Sequence, residues 1–202
     1  LLIADEVVTG FGRTGHLFGT RLWGVNADMW CLAKGISSGY VPLGATAISS
    51  KVSRVFNDDK SGQAAVGHGY TYSAHPVAAA AALATLEQIE ALDVPGNAGR
   101  VGAVMQERLR QLEQTCSFVG NVRGVGLMLG IEMVDDTALR TPMPRSSDIP
   151  ARVAKEAYQR GLMVRISGPN LILSPPLVIS QAEIDLLCDT LEAAFAAVEA
   201  SL

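Results

Sequence analysis

The stretch from residue 28 to residue 44 constrains this chain most, because a short apolar run there ends abruptly at one lysine. Residues 29–33 have the composition of a buried strand, and Lys34 follows them directly. Glycine and serine fill most of positions 35–39, which is typical of a turn. Burial would disfavour the charged ammonium of Lys34 and leave its amine free to act as a nucleophile. Such lysines form Schiff bases with carbonyl compounds, including pyridoxal phosphate, although a surface lysine that opens a loop fits the same pattern.

Length and charge limit the classes of protein to which the chain can belong. Its 202 residues are 49% hydrophobic, which is enough for one large domain or two small ones with a core. The net charge of -4 and the lack of a Lys/Arg cluster argue against nucleic acid or an anionic membrane as partner. No apolar stretch is long enough to span a membrane, and we predict a cytoplasmic location. Cys31, Cys116 and Cys188 are scattered among apolar residues, which indicates reduced thiols and neither a disulfide frame nor a metal site.

Strands alternate with helices along the chain, which predicts an α/β protein with one domain at 1–94 and a smaller one at 95–202. Apolar runs predict strands at 1–4, 29–33, 44–49, 127–134, 162–166 and 171–173, the first two of them buried. Periodicity and capping signals predict helices at 77–92, over 101–112, from 148 to a stop at Gly161, and from a capping box at 180–183 onward. In the remaining stretches, residues typical of turns and loops predict a mobile loop at 10–15, an exposed loop at 57–69 and a linker at 93–99. They also predict a turn after 120, a loop at 142–148 and a turn at 167–170. Because the chain begins on an apolar strand without a methionine, we expect a fragment of a longer protein.

Residues 10–15, Gly-Phe-Gly-Arg-Thr-Gly, match the dinucleotide-binding fingerprint letter for letter. In a functional fingerprint the glycines follow the strand directly, and the last glycine lies in an opening helix. Here residues 5–9 intervene, and Gly15, Gly19 and Gly24 disfavour a following helix. The spacing therefore argues against a nicotinamide or flavin site.

Asp5 ends the first predicted strand, and a carboxylate at such a position is costly unless it meets a cation or several hydrogen-bond donors. By itself it could be a residue that starts or caps a loop. Together with Lys34 on the second strand, it suits pyridoxal phosphate, since one group would hold the aldehyde end and the other the ring nitrogen. An ionised aspartate keeps that nitrogen protonated, and the pyridinium withdraws the electrons of a broken Cα–H bond.

Residues 2–15 and 28–39, with the spacing between them, resemble the cofactor-attachment signature of class III pyridoxal phosphate-dependent aminotransferases. The resemblance implies the α/β fold of fold type I transferases, with the latter part of the large domain followed by the C-terminal small domain. It implies that Lys34 forms the Schiff base with pyridoxal 5'-phosphate and carries the proton. It further implies that Asp5 is the partner of the pyridinium nitrogen and that Val7 packs on a face of the ring. The sequence resembles only the later part of a family member.

Residues 69–76 resemble the family segment that reaches into the neighbouring subunit. In the family, a threonine hydroxyl and nearby backbone N–H groups of this segment bind the cofactor phosphate. The resemblance assigns the hydroxyl role to Thr71 and a backbone role to Tyr70, although Thr71 by itself is better explained as a turn or strand residue. It also implies a homodimer or tetramer with shared active sites. His68 and His75 are expected to be structural, because the lysine already supplies the base.

Residues 162–177 resemble the C-terminal segment of the ω-amino acid and amine:pyruvate branch, and residues 38–45 resemble the same branch. In that branch an arginine at the position of Arg165 binds the substrate carboxylate and swings aside for an amine donor. A planar guanidinium suits a bidentate hold on carboxylate. A surface arginine in a turn is the alternative interpretation.

These resemblances imply an aminotransferase that moves an amino group from an ω-amino acid or amine to a keto acid such as pyruvate, with ping-pong kinetics. Other class III activities stay open, namely diaminopelargonate, ornithine or GABA-type aminotransfer, decarboxylation and mutase reactions. A catalytically inactive fragment that serves only in binding or dimerisation stays open as well.

Overall fold

The chain folds into two compact units, each with one main β-sheet and several helices, as expected for an α/β protein. The structure is a computed structural model that describes all 202 residues. The first unit comprises Leu1–Pro95 and the second Gly96–Leu202. None of the helices combines the length and the apolar character that crossing a membrane requires.

The first unit is built on a three-stranded sheet. Its strands are β1 (Ile3–Asp5), β2 (Met29–Leu32) and β3 (Ala45–Ile48), and its helices are α1 (Gly19–Leu22), α2 (Ser50–Asn57) and α3 (Pro76–Ala91). β2 lies in the centre, parallel to β1 and antiparallel to β3. The three predicted strands and the helix predicted at 77–92 are confirmed, whereas the sequence pattern does not reveal α2.

Helix α3 begins where the local chemistry favours a helix start. Pro76 lies in the first turn, where a missing N–H costs no intrahelical hydrogen bond. His75 occupies the N-cap, and its Nδ1 accepts a hydrogen bond of 3.3 Å from the backbone N–H of Val77. This contact supports the structural role expected for His75.

The strands of the first unit are more exposed than their apolar sequences predict. Leu1, Leu2 and Ile3 are 81%, 49% and 55% exposed, and all four residues of β2 are only half-buried. The prediction of buried strands at 1–4 and 29–33 is therefore wrong for this chain. A strand is buried only when a second layer covers it. Here α2 buries none of its own residues, and α3 buries only Ala78 and Ala82.

The second unit combines an antiparallel sheet with helices that cover it. Its helices are α4 (Val94–Arg110, whose first two residues precede the division between the units), α5 (Leu112–Thr115), α6 (Ile149–Gln159) and α7 (Gln181–Glu199). Its strands are β4 (Val119–Val125), β5 (Met128–Asp136), β6 (Thr141–Pro142), β7 (Arg165–Ser167) and β8 (Asn170–Leu173). The sheet order is β4-β5-β8-β7, with β6 paired to β5. The hairpin of β7 and β8 confirms the turn predicted between them.

A continuous hydrophobic core fills the second unit. Helix α7 contributes to it the stripe that its periodicity indicates: Ile184, Leu187, Leu191, Phe195 and Val198, each 8% exposed or less. The capping box predicted at 180–183 is present, with Ser180 and Glu183 bonded reciprocally. Burial raises the pKa of the Cys188 thiol to about 11, so this cysteine is an uncharged core residue.

The predictions for the segments at 93–99 and after 120 are wrong. The stretch 93–99 is mostly helix and not a linker, because only Asp93 turns, with φ +44°, and α4 begins at the next residue. Pro95 causes no break, since the first turn of a helix needs no proline N–H. The stretch after 120 is strand β4 and not a turn, and the two-residue loop of the β4–β5 hairpin contains Gly126 with φ +53°.

Candidate functional site

Asp5 and Lys34 lie where two neighbouring parallel strands end. Asp5 is the last residue of β1 and pairs in register with Cys31 of β2. β2 ends at Leu32, and Lys34 begins a short 3-10 helix, Lys34–Ile36. Ligands of α/β sheets bind outside the carboxyl ends of the strands. The fold therefore brings this acidic and this amino side chain to one edge of the sheet, as their strand positions suggest.

The loop that follows β1 orients the carboxylate of Asp5. The backbone N–H of Val7 donates a hydrogen bond of 2.9 Å to Asp5 Oδ1. The Asp5 side chain is otherwise exposed, and Val7 is half-buried. Val7 thus contributes its backbone to the orientation of Asp5, which is a role that the sequence does not show.

Lys34 combines a left-handed backbone with an exposed side chain. Its φ of +48° is unfavourable for a residue with a Cβ. The turn is closed by hydrogen bonds from the N–H of Ile36 to the carbonyl of Ala33 at 3.2 Å and from the N–H of Ser37 to the carbonyl of Lys34 at 3.3 Å. The buried Ser37 hydroxyl donates to the Val41 carbonyl at 2.6 Å. The expectation that burial desolvates Lys34 is wrong for this chain, because its side chain is exposed.

Glu6, the neighbour of Asp5, is a buried anchor that the sequence pattern does not reveal. It is 1% exposed, and its carboxylate accepts hydrogen bonds from the Thr9 hydroxyl (2.5 Å) and from the N–H groups of Gly19 (2.8 Å) and Thr20 (2.7 Å). Burial raises the pKa of Glu6, but these hydrogen bonds outweigh burial and lower it. Glu6 therefore ties the end of β1 to the start of α1. The only signal in the sequence is a second acidic residue after the strand.

The glycine-rich loop at 10–15 packs inside the unit, and the prediction of a mobile loop is wrong. Phe11 and Thr14 are each 3% exposed. Gly12 and Gly15 turn the chain with φ +108° and +82°, and α1, the next helix, has only four residues. The loop therefore lacks the helix on which a dinucleotide fingerprint depends.

Thr71 and Tyr70 lie in an exposed turn before α3. The N–H of Tyr70 donates to the Ser73 hydroxyl at 3.0 Å, and the N–H of Ser73 donates to the Tyr70 carbonyl at 2.9 Å. The Tyr70 N–H, which the resemblance offers to a phosphate, is therefore already engaged. The Thr71 side chain is exposed and accessible to a ligand.

Arg165 opens β7 in the second unit and lines a cavity of about 700 Å³. Most of the cavity wall is apolar, and Arg160 and Glu183 also line it. Arg160 is engaged by Glu156, and the Glu183 carboxylate is held in the capping box. The exposed guanidinium of Arg165 is in none of the ion pairs of the structure, so it is available to a carboxylate ligand.

The groups at the β1–β2 edge suit an organic cofactor with an aldehyde and a ring nitrogen. No three His, Cys, Asp or Glu residues are grouped so as to bind a metal ion. An accessible amine at Lys34 can bond an aldehyde, and an oriented carboxylate at Asp5 can hold a pyridine nitrogen. The residues present therefore fit pyridoxal phosphate.

Comparison with known proteins identifies one family. The family described as aminotransferase class-III matches residues 1–195. Among curated proteins, the chain is 46% identical over 187 residues to an uncharacterized aminotransferase of Sinorhizobium fredii, covering 92% of this chain and 40% of that protein. It is 36% identical to mitochondrial gamma-aminobutyrate transaminase 1 of Oryza sativa subsp. indica, covering 93% of this chain and 36% of the relative.

Solved structures of transaminases share the fold. An amine transaminase from an uncultivated Pseudomonas species, solved in a PLP-bound form, superposes with a TM-score of 0.94 at 48% identity, covering 98% of this chain and 45% of the other. An (S)-enantioselective omega-transaminase from Thermomicrobium roseum gives a TM-score of 0.90 at 41% identity, covering 98% of this chain and 44% of the other. The expected fold type I transferase class is thereby confirmed. The chain spans less than half the length of these relatives.

Proposed function

Because this chain belongs to the class III aminotransferase family, we propose that it forms part of a pyridoxal phosphate-dependent aminotransferase. The proposed reaction moves an amino group from an ω-amino acid or amine to a keto acid such as pyruvate. The observation that carries the proposal is the position of Asp5 and Lys34 at the carboxyl ends of adjacent parallel strands, Asp5 as the last residue of β1 and Lys34 two residues beyond β2. We retain the domain boundary near residue 94 and a cytoplasmic location as proposals, the latter supported by three free cysteines.

Asp5, Val7 and Lys34 have separate tasks in this proposal. The Lys34 amine would hold the aldehyde end of the cofactor and would accept the proton from the donor Cα. Asp5, oriented by the Val7 N–H, would keep a proton on the ring nitrogen. The Val7 side chain would hold a face of the ring. Pyridoxal phosphate, when bound, supplies an electron-withdrawing ring that stabilises the negative charge left at Cα. Use of one site for donor and acceptor gives ping-pong kinetics.

We assign the cofactor phosphate to the Thr71 hydroxyl of a neighbouring subunit in a homodimer or tetramer. We favour Thr71 over Tyr70, because the Tyr70 N–H is already bonded to Ser73. Apolar and aromatic side chains around Thr71 are exposed, with Val66 at 66% and Tyr72 at 81%. Clustered exposure of this kind is typical of protein interfaces, which supports an assembly at this segment.

Arg165 is proposed to bind the carboxylate of the keto acid or amino acid. A charge-assisted hydrogen bond is worth about 1.5–3 kcal/mol, so Arg165→Ala should raise the KM for pyruvate about 10-fold to 150-fold. Arg165→Lys should restore this only in part, because lysine lacks the bidentate fork. Arg145→Ala, which removes an exposed arginine outside the cavity, should leave the KM unchanged. An unchanged KM in Arg165→Ala would remove Arg165 from the site.

The first test uses the product of the complete gene, loaded with pyridoxal phosphate and reduced with borohydride. Peptide mapping should find the phosphopyridoxyl group on Lys34 in the wild type and in the control Lys60→Ala, which alters another exposed lysine. Lys34→Ala should lose both the adduct and the conversion of amine and pyruvate to alanine. Asp5→Asn should retain the adduct but turn over very slowly. Turnover by Lys34→Ala would refute the proposal.

A GABA-type aminotransferase is the second candidate, because several curated relatives carry that name. Comparing GABA with a simple amine as donor, each with pyruvate, separates the two. Release of carbon dioxide, or product without a keto acid, would instead favour a decarboxylase or mutase.

A non-catalytic binding or dimerisation module is the remaining alternative. The retained Lys34, Asp5 and Thr71 argue against it. Assaying the 202-residue chain beside the product of the complete gene tests it, because a binding module predicts no adduct in either sample.

A further inference from the structure

Phe11 lies directly against the turn that carries Lys34. Its side chain is 3% exposed. A Cβ built on Gly35, the residue after Lys34, would lie 2.7 Å from the Cβ of Phe11 and 3.1 Å from two of its ring carbons. Side chains do not tolerate such a separation, so only glycine allows the two segments to approach this closely.

Phe11 is itself held firmly by the loop at 10–15. Its φ of +63° lies in the left-handed region, which is unfavourable for a bulky residue. Its N–H donates to the carbonyl of Leu17 at 2.6 Å, and its ring packs edge-to-face on Phe18 with centroids 5.5 Å apart. Such strain persists only where the surrounding structure enforces it.

Left-handed residues therefore occur in both segments that meet at Gly35, namely Phe11 in one and Lys34 in the other. We propose that Phe11 is a positioning residue that supports the Lys34 turn in its left-handed conformation and so places the Lys34 amine. This inference rests on the proposed function and deepens it. It also explains the loop at 10–15 by a positioning role and not by dinucleotide binding.

The test is a double-mutant cycle in the product of the complete gene. Gly35→Ala introduces the clash, Phe11→Gly removes both the Cβ and the ring, and the double variant relieves the clash. The readouts are the rate of pyridoxal phosphate attachment to Lys34, trapped with borohydride and located by peptide mapping, and the pH midpoint of the absorbance change of the attached cofactor. Phe118→Leu is the control, because it truncates a phenylalanine that is equally buried, 3% exposed, but lies in the core of the second unit and not at the Phe11–Gly35 contact.

Gly35→Ala should slow attachment about 10-fold or more, since a displacement of about 1 Å at a reacting group can cost about 100-fold. In the Phe11→Gly background the same change should slow attachment much less. Phe11→Leu, which keeps the Cβ and most of the core volume, should shift the pH midpoint while Phe118→Leu leaves it in place. An equal effect of Gly35→Ala in both backgrounds would overturn the proposal.

Other outcomes are also decisive. If Phe11→Gly does not fold, an unshifted pH midpoint in Phe11→Leu overturns the proposal and a shifted midpoint supports it. If the wild type attaches no cofactor at Lys34, the proposed function fails. If the wild type attaches it and all Phe11 and Gly35 variants match the wild type, only the positioning role fails.

Discussion

The buried carboxylate of Glu6 offers the sharpest test of how the site is held, through the change Glu6→Gln. In the structure Oε2 accepts from the Thr9 hydroxyl and the Gly19 N–H, and Oε1 accepts from the Thr20 N–H. Glutamine keeps the size but has only one oxygen. The amide keeps the most hydrogen bonds when its oxygen takes the place of Oε2. Its NH₂ then faces the N–H of Thr20, and two donors cannot bond to each other.

The magnitude follows from the hydrogen bond of the Thr20 N–H to Oε1, which the glutamine NH₂ cannot accept. A hydrogen bond to a charged group contributes about 1.5–3 kcal/mol, so the free energy of local opening at Thr20 should fall by about 2 kcal/mol. This corresponds to about 30-fold faster hydrogen exchange of the Thr20 amide. Glu87→Gln, an exposed glutamate on α3, is the matched control and should leave this exchange unchanged.

Exchange measured against pH adds an independent check. Burial raises the pKa of Glu6, but the hydrogen bonds from Thr9, Thr20 and Gly19 lower it below its ordinary value of 4.5. A group with a lowered folded-state pKa stabilises the fold above its unfolded pKa, and this stabilisation is lost as the pH falls through the folded pKa. The wild-type loop should therefore lose protection in acid, and Glu6→Gln should not share that loss. Equal Thr20 exchange in wild type and variant at neutral pH would refute the reasoning.

Three further predictions concern the second unit and are measured by urea unfolding. Gly102→Ala should destabilise the fold by about 2 kcal/mol or more, because the added Cβ would lie 2.1 Å from the Gly126 carbonyl oxygen. The control Gly130→Ala should cost far less, because the nearest neighbour of its Cβ would be 3.8 Å away. Equal urea midpoints for the two variants would contradict this prediction. Arg108→Gln should lower the free energy of unfolding by about 1 kcal/mol, because it removes the partner of three carboxylates on α7. The loss should be smaller at high salt, and a loss that is independent of salt would argue against the ion pairs. Ser180→Ala removes the cap of α7 and should cost about 1 kcal/mol, so an unchanged unfolding midpoint would contradict the role of the capping box.

Segments whose signal is local were predictable from the sequence. The strand before Asp5, the strand before Lys34, helix α3 and the capping box of α7 all appear where periodicity and capping place them. The parallel pairing that brings Asp5 and Lys34 to one edge is consistent with their positions after two strands. These features depend on neighbours within a few residues, which a sequence pattern records directly.

Tertiary contacts decided the rest, because burial and close approach depend on residues far apart in the chain. Glu6 becomes an anchor only when Gly19 and Thr20 are brought to it, and Phe11 supports the Lys34 turn only because the fold places Gly35 beside it. For the same reason the apolar strands β1 and β2 stay partly exposed within these 202 residues, since burial requires a covering layer. The sequence by itself thus placed most of the elements and predicted the pairing of Asp5 with Lys34. Only the tertiary structure decided which residues hold that pair in place.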